Sequence, residues 1–155
     1  MCVPGTDSIN LILVLMYTLF YAEDDQDDVF LFKSVLEEMD IKHQLIVASN
    51  GQILMDYLYN PPPTPHLIFM DLNMPVKNGM DSLREIRENE MFGKIPVVIL
   101  STSSDERSIQ QAGNFGADLY IVKPESYSKL REYVGACLKI DWFNGRSEQL
   151  QVFSN

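Results

Sequence analysis

The sequence has few cysteines and few basic residues. Its two cysteines, Cys2 and Cys137, lie near opposite ends of the 155-residue chain, so they provide neither a disulfide framework nor the ligand spacing of a zinc site. Lys and Arg number 12 against 22 Asp and Glu, and the net charge is −10. Such an acidic chain lacks the basic surface that nucleic-acid phosphates and anionic lipids require. We therefore expect no nucleic-acid partner, no membrane association and a cytoplasmic location.

Long apolar runs are also scarce. The one candidate, residues 9–22, spans 14 residues, whereas a membrane-spanning helix needs about 20. A secretory signal begins with basic residues, but no Lys or Arg precedes Lys33. The run is longer than an ordinary strand of about 5–6 residues, so part of it must precede the first strand. We predict an N-terminal extension outside the core over residues 1–15, one domain over residues 16–141 and a C-terminal tail over residues 142–155.

Strand-like and helix-like segments alternate through the rest of the chain. Apolar, β-branched runs predict five strands, over residues 17–22, 44–48, 67–70, 96–100 and 119–122. Apolar residues at helical spacing predict five helices, over residues 27–39, 49–60, 81–89, 103–115 and 127–140, with Ser49 as the N-cap of the second. This alternation indicates an α/β fold with a parallel sheet covered on both faces. For five strands we expect the flavodoxin-like, doubly wound order 2-1-3-4-5.

Polar residues stand directly after four of the predicted strands. They are Glu23 and Asp24, Asp71, Ser101 and Thr102, and Lys123. The carboxyl ends of parallel strands meet at one edge of the sheet, where ligands bind, so we expect these side chains to share a crevice. Crowded carboxylates repel one another unless a cation joins them, and their oxygens suit Mg²⁺. The sequence therefore predicts a magnesium site with a lysine beside it.

The acidic run from Glu23 to Asp28 also has a simpler interpretation as a solvated loop. We assign Asp25, Asp27 and Asp28 to that loop and to the N-terminus of the following helix, where negative charge is favourable. An Asp directly after the buried run LIFM and a Lys directly after YIV are less expected in a structural loop. Their combination favours a functional site.

With these motifs, the chain resembles the receiver domain of two-component response regulators. The motifs are Glu23-Asp24, the run from Met70 through Asp71 and Asn73 to Pro75 with Gly79, Ser101 after VVIL, and Lys123-Pro124. The intervals from Asp71 to Ser101 and from Ser101 to Lys123 match the family pattern without gaps. The resemblance covers residues 17–140, and the stretch from Asp71 to Lys123 looks most like the single-domain receivers associated with phytochrome-type kinases.

The resemblance implies that Asp71 accepts a phosphoryl group. The donor would be a phosphohistidine on a histidine kinase, here of the phytochrome type. Asp24, Asp71 and the backbone oxygen of Asn73 would bind Mg²⁺ directly, and Glu23 would hold the ion through water. The protein would not be an enzyme in the usual sense, although it would assist its own phosphorylation and slow autodephosphorylation.

The resemblance also implies a switch. The phosphoryl oxygens would recruit the hydroxyl of Ser101, with Thr102 beside it, and would pair with Lys123. Tyr120 would turn inward and change the surface formed by the fourth helix, the fifth strand and the fifth helix, which a downstream protein or phosphotransfer partner would read. Lys123–Pro124 would be a cis peptide, which an X–Pro bond permits.

Rival functions fit the residues less well. A phosphohydrolase that uses Asp71 usually has a second acid where Asn73 stands, and an amide has no proton to donate as an acid. A flavin carrier would have to bring the FMN phosphate against Glu23 and Asp24. A phosphate-independent scaffold and a phosphate sink remain alternatives.

The residues after the last predicted helix are too few for a DNA-binding output domain. Trp142 and Phe143 follow that helix directly. One hypothesis is that they cover the end of the core. The other is that they contact a partner or a second copy in a homodimer, since exposed aromatic residues mark interfaces.

Overall fold

A six-stranded parallel sheet forms the centre of the computed structural model, which describes residues 16–144, 146 and 149–154. The strands run in the order β2-β1-β3-β4-β5-β6, and every neighbouring pair is parallel. They are β1 (Tyr17–Ala22), β2 (His43–Ala48), β3 (Leu67–Met70), β4 (Val97–Ser101), β5 (Leu119–Val122) and β6 (Gln151–Phe153). The predicted flavodoxin-like order 2-1-3-4-5 is confirmed, with a sixth strand added beside β5. The predicted N-terminal extension, residues 1–15, lies outside the described residues.

In the part of the chain that the structure describes, five helices cover the sheet, as predicted. They are α1 (Gln26–Glu38), α2 (Gly51–Tyr59), α3 (Gly79–Glu88), α4 (Glu106–Asn114) and α5 (Tyr127–Lys139). A side chain caps the start of each helix, and the cap of α2 is Asn50 rather than the predicted Ser49, because Asn50 Oδ1 accepts a hydrogen bond from the Ile53 amide at 2.9 Å. No helix in the described ranges is long and apolar enough to cross a membrane.

The core lies on both faces of the sheet. Successive strand residues point to opposite faces, so each central strand contributes to two separate clusters. On one face, Phe20 and Ile68 pack in a cluster with residues of α2 and α3, such as Leu54. On the other face, Phe69 packs in a cluster with residues of α1 and α5, such as Phe32. All four residues of β3 are buried, which explains why its sequence is apolar without alternation.

The sixth strand brings part of the predicted tail into the sheet. β6 has only three residues and is largely exposed, so no hydrophobic period in the sequence could reveal it. The ring of Phe153 lies 5.5 Å from that of Tyr133. Trp142 is 7% exposed and covers the end of the core, whereas Phe143 is 91% exposed. Only the second of these two adjacent aromatic side chains is therefore free of the core for a partner contact.

An ion cluster joins Arg146, which precedes β6, to the end of the sheet at which the strands begin. Asp118 Oδ2 accepts hydrogen bonds from Arg87 Nη2 and from the Val97 amide, both at 2.8 Å. Asp118 Oδ1 accepts two more from Arg146, at 2.9 and 2.7 Å. The side chains of Arg87 and Asp118 are 18% and 12% exposed. Asp118 thus pairs with two guanidinium groups, of which that of Arg87 is the more buried.

Removal of the Asp118 carboxylate should destabilise the fold strongly. We expect Asp118→Ala to lower the free energy of unfolding by about 3–5 kcal/mol, because it leaves the largely buried Arg87 guanidinium without its counter-ion. Urea unfolding followed by circular dichroism measures the change. Asp40→Ala, which removes an exposed aspartate, is the control and should change stability by less than about 0.5 kcal/mol. Equal effects of the two substitutions would contradict this account.

Candidate functional site

An acidic crevice lies at the carboxyl ends of the central strands, where the sequence predicts it. Glu23 and Asp24 follow β1, and Asp71 follows β3. Glu23 is fully buried and Asp71 is 7% exposed, while Asp24 is exposed. One carboxylate oxygen of each residue lies within 4.8 Å of the others. Three hard oxygen donors at this separation form a set that fits a small divalent cation.

The backbone fixes three site residues, Glu23, Asp71 and Lys123, at the first position beyond their strands. The amide of Glu23 donates to Ala48 O at 2.9 Å, and the amide of Asp71 donates to Ala22 O at 3.0 Å. The amide of Lys123 donates to the carbonyl of the last β4 residue at 2.7 Å. Each residue is therefore still held by the neighbouring strand while its side chain projects from the end of the sheet.

The two oxygens of the Asp71 carboxylate have different environments. Oδ1 accepts hydrogen bonds from the amides of Leu72 at 2.7 Å and Asn73 at 3.4 Å. Oδ2 lies 3.2 Å from the ammonium of Lys123. One oxygen is thus oriented by the backbone, and the other faces a positive charge.

Lys123 brings a positive charge into the acidic crevice. Its ammonium contacts Glu23 Oε1, Asp28 Oδ2 at 2.8 Å and Asp71 Oδ2. Burial raises the pKa of Glu23 to about 8; the hydrogen bond from Lys123 opposes this shift, and the Asp71 carboxylate adds to it. Burial also lowers the pKa of Lys123, but hydrogen bonds to Asp28 and Glu23 outweigh burial and hold the pKa above its usual value.

Asp28 is the site residue that the sequence interpretation missed. We assigned it to the helix N-terminus, and it does lie in the first turn of α1. The connection between β1 and α1 comprises only residues 23–25, so this first turn stays at the crevice and Asp28 reaches Lys123. The shortness of that connection was the available signal.

The predicted cis peptide between Lys123 and Pro124 is wrong. No peptide bond between described residues is cis, so this bond is trans. The trans isomer of an X–Pro bond is favoured by about 0.5–1 kcal/mol. With the bond in this isomer, the Lys123 ammonium already reaches its three carboxylates.

Hydroxyl groups line the side of the crevice next to β4. Ser101 is fully buried, and its Oγ accepts a hydrogen bond from the Ser103 amide at 3.2 Å. Thr102 is exposed. Tyr120 is fully buried, and its hydroxyl donates to Ser103 O at 2.7 Å. Tyr120 is therefore already inward here, and Ser103 links it to Ser101.

The loop between β3 and α3 is shaped by close backbone contacts. A Cβ atom on Gly79 would lie 2.2 Å from Asp71 O, so only glycine fits there. Val76 has a φ of +66° and is 82% exposed, and the amide of Lys77 donates to Pro75 O at 2.7 Å across it. A β-branched residue is strained in this left-handed conformation, inside a tight three-residue turn.

Comparison with known proteins identifies the family. Residues 19–135 match the response regulator receiver domain. The chain belongs to this family. Receiver domains of two-component systems generally act as non-enzymatic phosphoacceptors, bind a divalent metal ion and interact with histidine kinases.

The relatives include phytochrome-associated response regulators, as the motifs predicted. Response regulator Rcp1 of Synechocystis sp. is 33% identical over 121 residues, which cover 75% of this chain and 82% of Rcp1. The crystal structure of the phosphorylated cyanobacterial phytochrome response regulator RcpA has a TM-score of 0.77 at 30% identity, covering 86% of this chain and 98% of RcpA. The Mn²⁺-bound form of Rcp1 has a TM-score of 0.74 at 30% identity, covering 84% of this chain and 97% of that one.

The strained turn of this receiver domain yields a stability prediction. We expect Val76→Asn to raise the free energy of unfolding by about 1 kcal/mol, because Asn tolerates the left-handed region and relieves a cost of about 1–2 kcal/mol. Val76→Ala is the matched control, since it shortens the same exposed side chain but lacks the polar group by which Asn hydrogen-bonds locally in this region. Urea unfolding measures both. An equal gain from Ala and Asn would show that backbone strain is not the cause.

Proposed function

We propose that this receiver domain accepts a phosphoryl group on Asp71 from a histidine kinase and alters its partner contacts in response. The observation that carries the proposal is the position of the Asp71 carboxylate. Backbone amides orient one of its oxygens, the Lys123 ammonium faces the other, and Glu23 and Asp24 stand within reach of a shared cation. This arrangement supplies a positioned nucleophile and the means to neutralise a phosphoryl group, which are the main requirements of phosphoryl transfer.

The proposed metal is Mg²⁺, bound by Asp24, Asp71 and the backbone oxygen of Asn73, with Glu23 acting through water. Magnesium takes one or two carboxylates and keeps several waters, which suits a set with one exposed member, Asp24. The relative Rcp1 has been crystallised in a Mn²⁺-bound form. When bound, the ion would neutralise charge that develops on the phosphoryl oxygens.

The proposed transfer step is a displacement at phosphorus. A carboxylate oxygen of Asp71 attacks the phosphorus of a phosphohistidine, the P–N bond breaks, and its electron pair returns to the imidazole. Lys123 neutralises an equatorial phosphoryl oxygen, an electrostatic contribution that is strongest where water is excluded. The Lys123 side chain is 11% exposed, so the crevice meets this condition.

The proposed switch runs through Ser101, Ser103 and Tyr120. A phosphoryl oxygen on Asp71 would accept a hydrogen bond from the Ser101 hydroxyl and draw it toward Asp71, while Ser101 Oγ also accepts a hydrogen bond from the Ser103 amide. The backbone oxygen of Ser103 in turn accepts a hydrogen bond from the Tyr120 hydroxyl. A shift at Ser101 would therefore reach the surface of α4, β5 and α5. Thr102 adjoins this path. The response is a change in populations between two states rather than a new fold.

The proposed donor is a phytochrome-type histidine kinase, which the phytochrome-associated relatives support. The reader of the signal would be a downstream protein or a phosphotransfer partner. The cytoplasmic location and the homodimer stay predictions.

The phosphoacceptor assignment can be tested by intact mass. After incubation with acetyl phosphate and Mg²⁺, we expect one added phosphoryl group on the wild type and none on Asp71→Asn, because the amide is not a nucleophile for this transfer. Omitting Mg²⁺ should abolish the label as well. Asp81→Asn, which changes an exposed aspartate of α3, should label like the wild type. Labelling that survives Asp71→Asn would overturn the assignment.

The metal site can be tested without phosphorylation. We expect Asp24→Asn to weaken Mg²⁺ and Mn²⁺ binding at least about tenfold, since even changes to residues behind the direct ligands cost this much. Isothermal titration calorimetry measures the affinity. The control is Asp40→Asn, an exposed aspartate of the loop after α1, which should bind like the wild type. Unchanged affinity in Asp24→Asn would remove Asp24 from the ligand set.

A further inference from the structure

The ammonium of Lys123 has no hydrogen-bond donor to spare. A lysine ammonium carries three N–H donors, and the described structure gives Lys123 three carboxylate partners: Glu23, Asp28 and Asp71. Any new contact with a phosphoryl oxygen must therefore replace one of them or share its donor. The strength of the contact that is replaced determines how readily Lys123 can donate a hydrogen bond to the phosphoryl group.

Asp28 differs from the other two partners. It lies outside the group of carboxylates that can share a metal ion. Its contact with Lys123, at 2.8 Å, is shorter than the 3.2 Å contact of Asp71. Its position is also fixed, because its amide donates to the Asp25 Oδ1 cap at 3.2 Å. Asp28 is thus a charged anchor for Lys123 that is built on α1.

We propose that Asp28 is a positioning residue that holds the Lys123 ammonium toward α1 and competes for it with Asp71 and its phosphoryl group. The inference rests on the proposed function of Asp71. Charge-assisted hydrogen bonds of this length are strong, so Asp28 retains Lys123 until a more negative group replaces it. Removal of the Asp28 charge frees one of the three Lys123 donors for a phosphoryl oxygen, which speeds phosphorylation.

Asp27 provides a matched control. It lies in the same first turn of α1, its amide donates to the same Asp25 Oδ1 at 2.8 Å, and it is exposed. Asp27→Asn and Asp28→Asn therefore change the net charge and the helix N-terminus alike, while of these two residues only Asp28 contacts Lys123 in the described part of the chain.

The test is the initial rate of phosphorylation by acetyl phosphate, below saturation and with Mg²⁺, followed by intact mass. We expect Asp28→Asn to react about three to five times faster than the wild type, the size of a partly exposed ion pair. Asp27→Asn should react like the wild type, and Asp28→Glu, which keeps the carboxylate, should restore a rate near it. An unchanged or slower rate in Asp28→Asn, or an equal gain in Asp27→Asn, would overturn the proposal.

A second measurement does not depend on phosphorylation. In protein labelled with ¹⁵N-lysine, the Nζ signal of Lys123, assigned by its loss in Lys123→Arg, should shift in Asp28→Asn and stay in place in Asp27→Asn. An unshifted signal in Asp28→Asn would show that Asp28 does not hold the ammonium. If the wild type takes no label at all, the proposed role of Asp71 fails, and this signal still decides whether Asp28 holds Lys123.

Discussion

The ion pairs of Lys123 with Glu23, Asp28 and Asp71 are the interaction on which the candidate site depends. Glu23 is fully buried, and a buried carboxylate is costly unless it is paired and hydrogen-bonded. Glu23 Oε2 accepts a hydrogen bond from the Asp24 amide at 3.1 Å. Glu23 Oε1 accepts hydrogen bonds from the Lys123 ammonium and the Tyr21 hydroxyl. Lys123 thus opposes the rise that burial causes in the pKa of Glu23, in a crevice where several acidic groups lie close together. That same crowding favours a divalent cation.

The apolar centre of the sheet gives this charge cluster its position. β3 is buried on both faces of the sheet and carries only apolar side chains. Asp71 is therefore the first charged residue after it. The parallel arrangement brings the ends of β1, β3 and β5 to one side. Glu23, Asp71 and Lys123 each keep one backbone hydrogen bond to a neighbouring strand. The rigidity of the core is thus passed directly to the side chains of the site.

Much of the fold and of the candidate site could be predicted from the sequence. Hydrophobic periodicity locates the helices and strands, and the polar residues directly after the strands locate the site. The apolar run LIFM and the charged residue after it locate both β3 and Asp71. Other features depend on contacts between distant residues that no local pattern encodes. β6 is short and largely exposed, and Arg146 meets Asp118 across 28 positions of sequence. Asp28 and Lys123 are 95 positions apart, so the ion pair follows only from the folded arrangement.

The sixth strand changes what the proposed output surface consists of. In a five-stranded sheet β5 would be an edge, but here β6 pairs with it along Leu119, Tyr120 and Ile121. A Cβ atom on Gly113 of α4 would lie 3.2 Å from the Leu150 side chain, so α4 packs against the segment that leads into β6. Under the proposed function, a displacement that starts at Ser101 and moves α4 must therefore also disturb this segment. A partner that reads the α4, β5 and α5 surface would meet β6 as part of it.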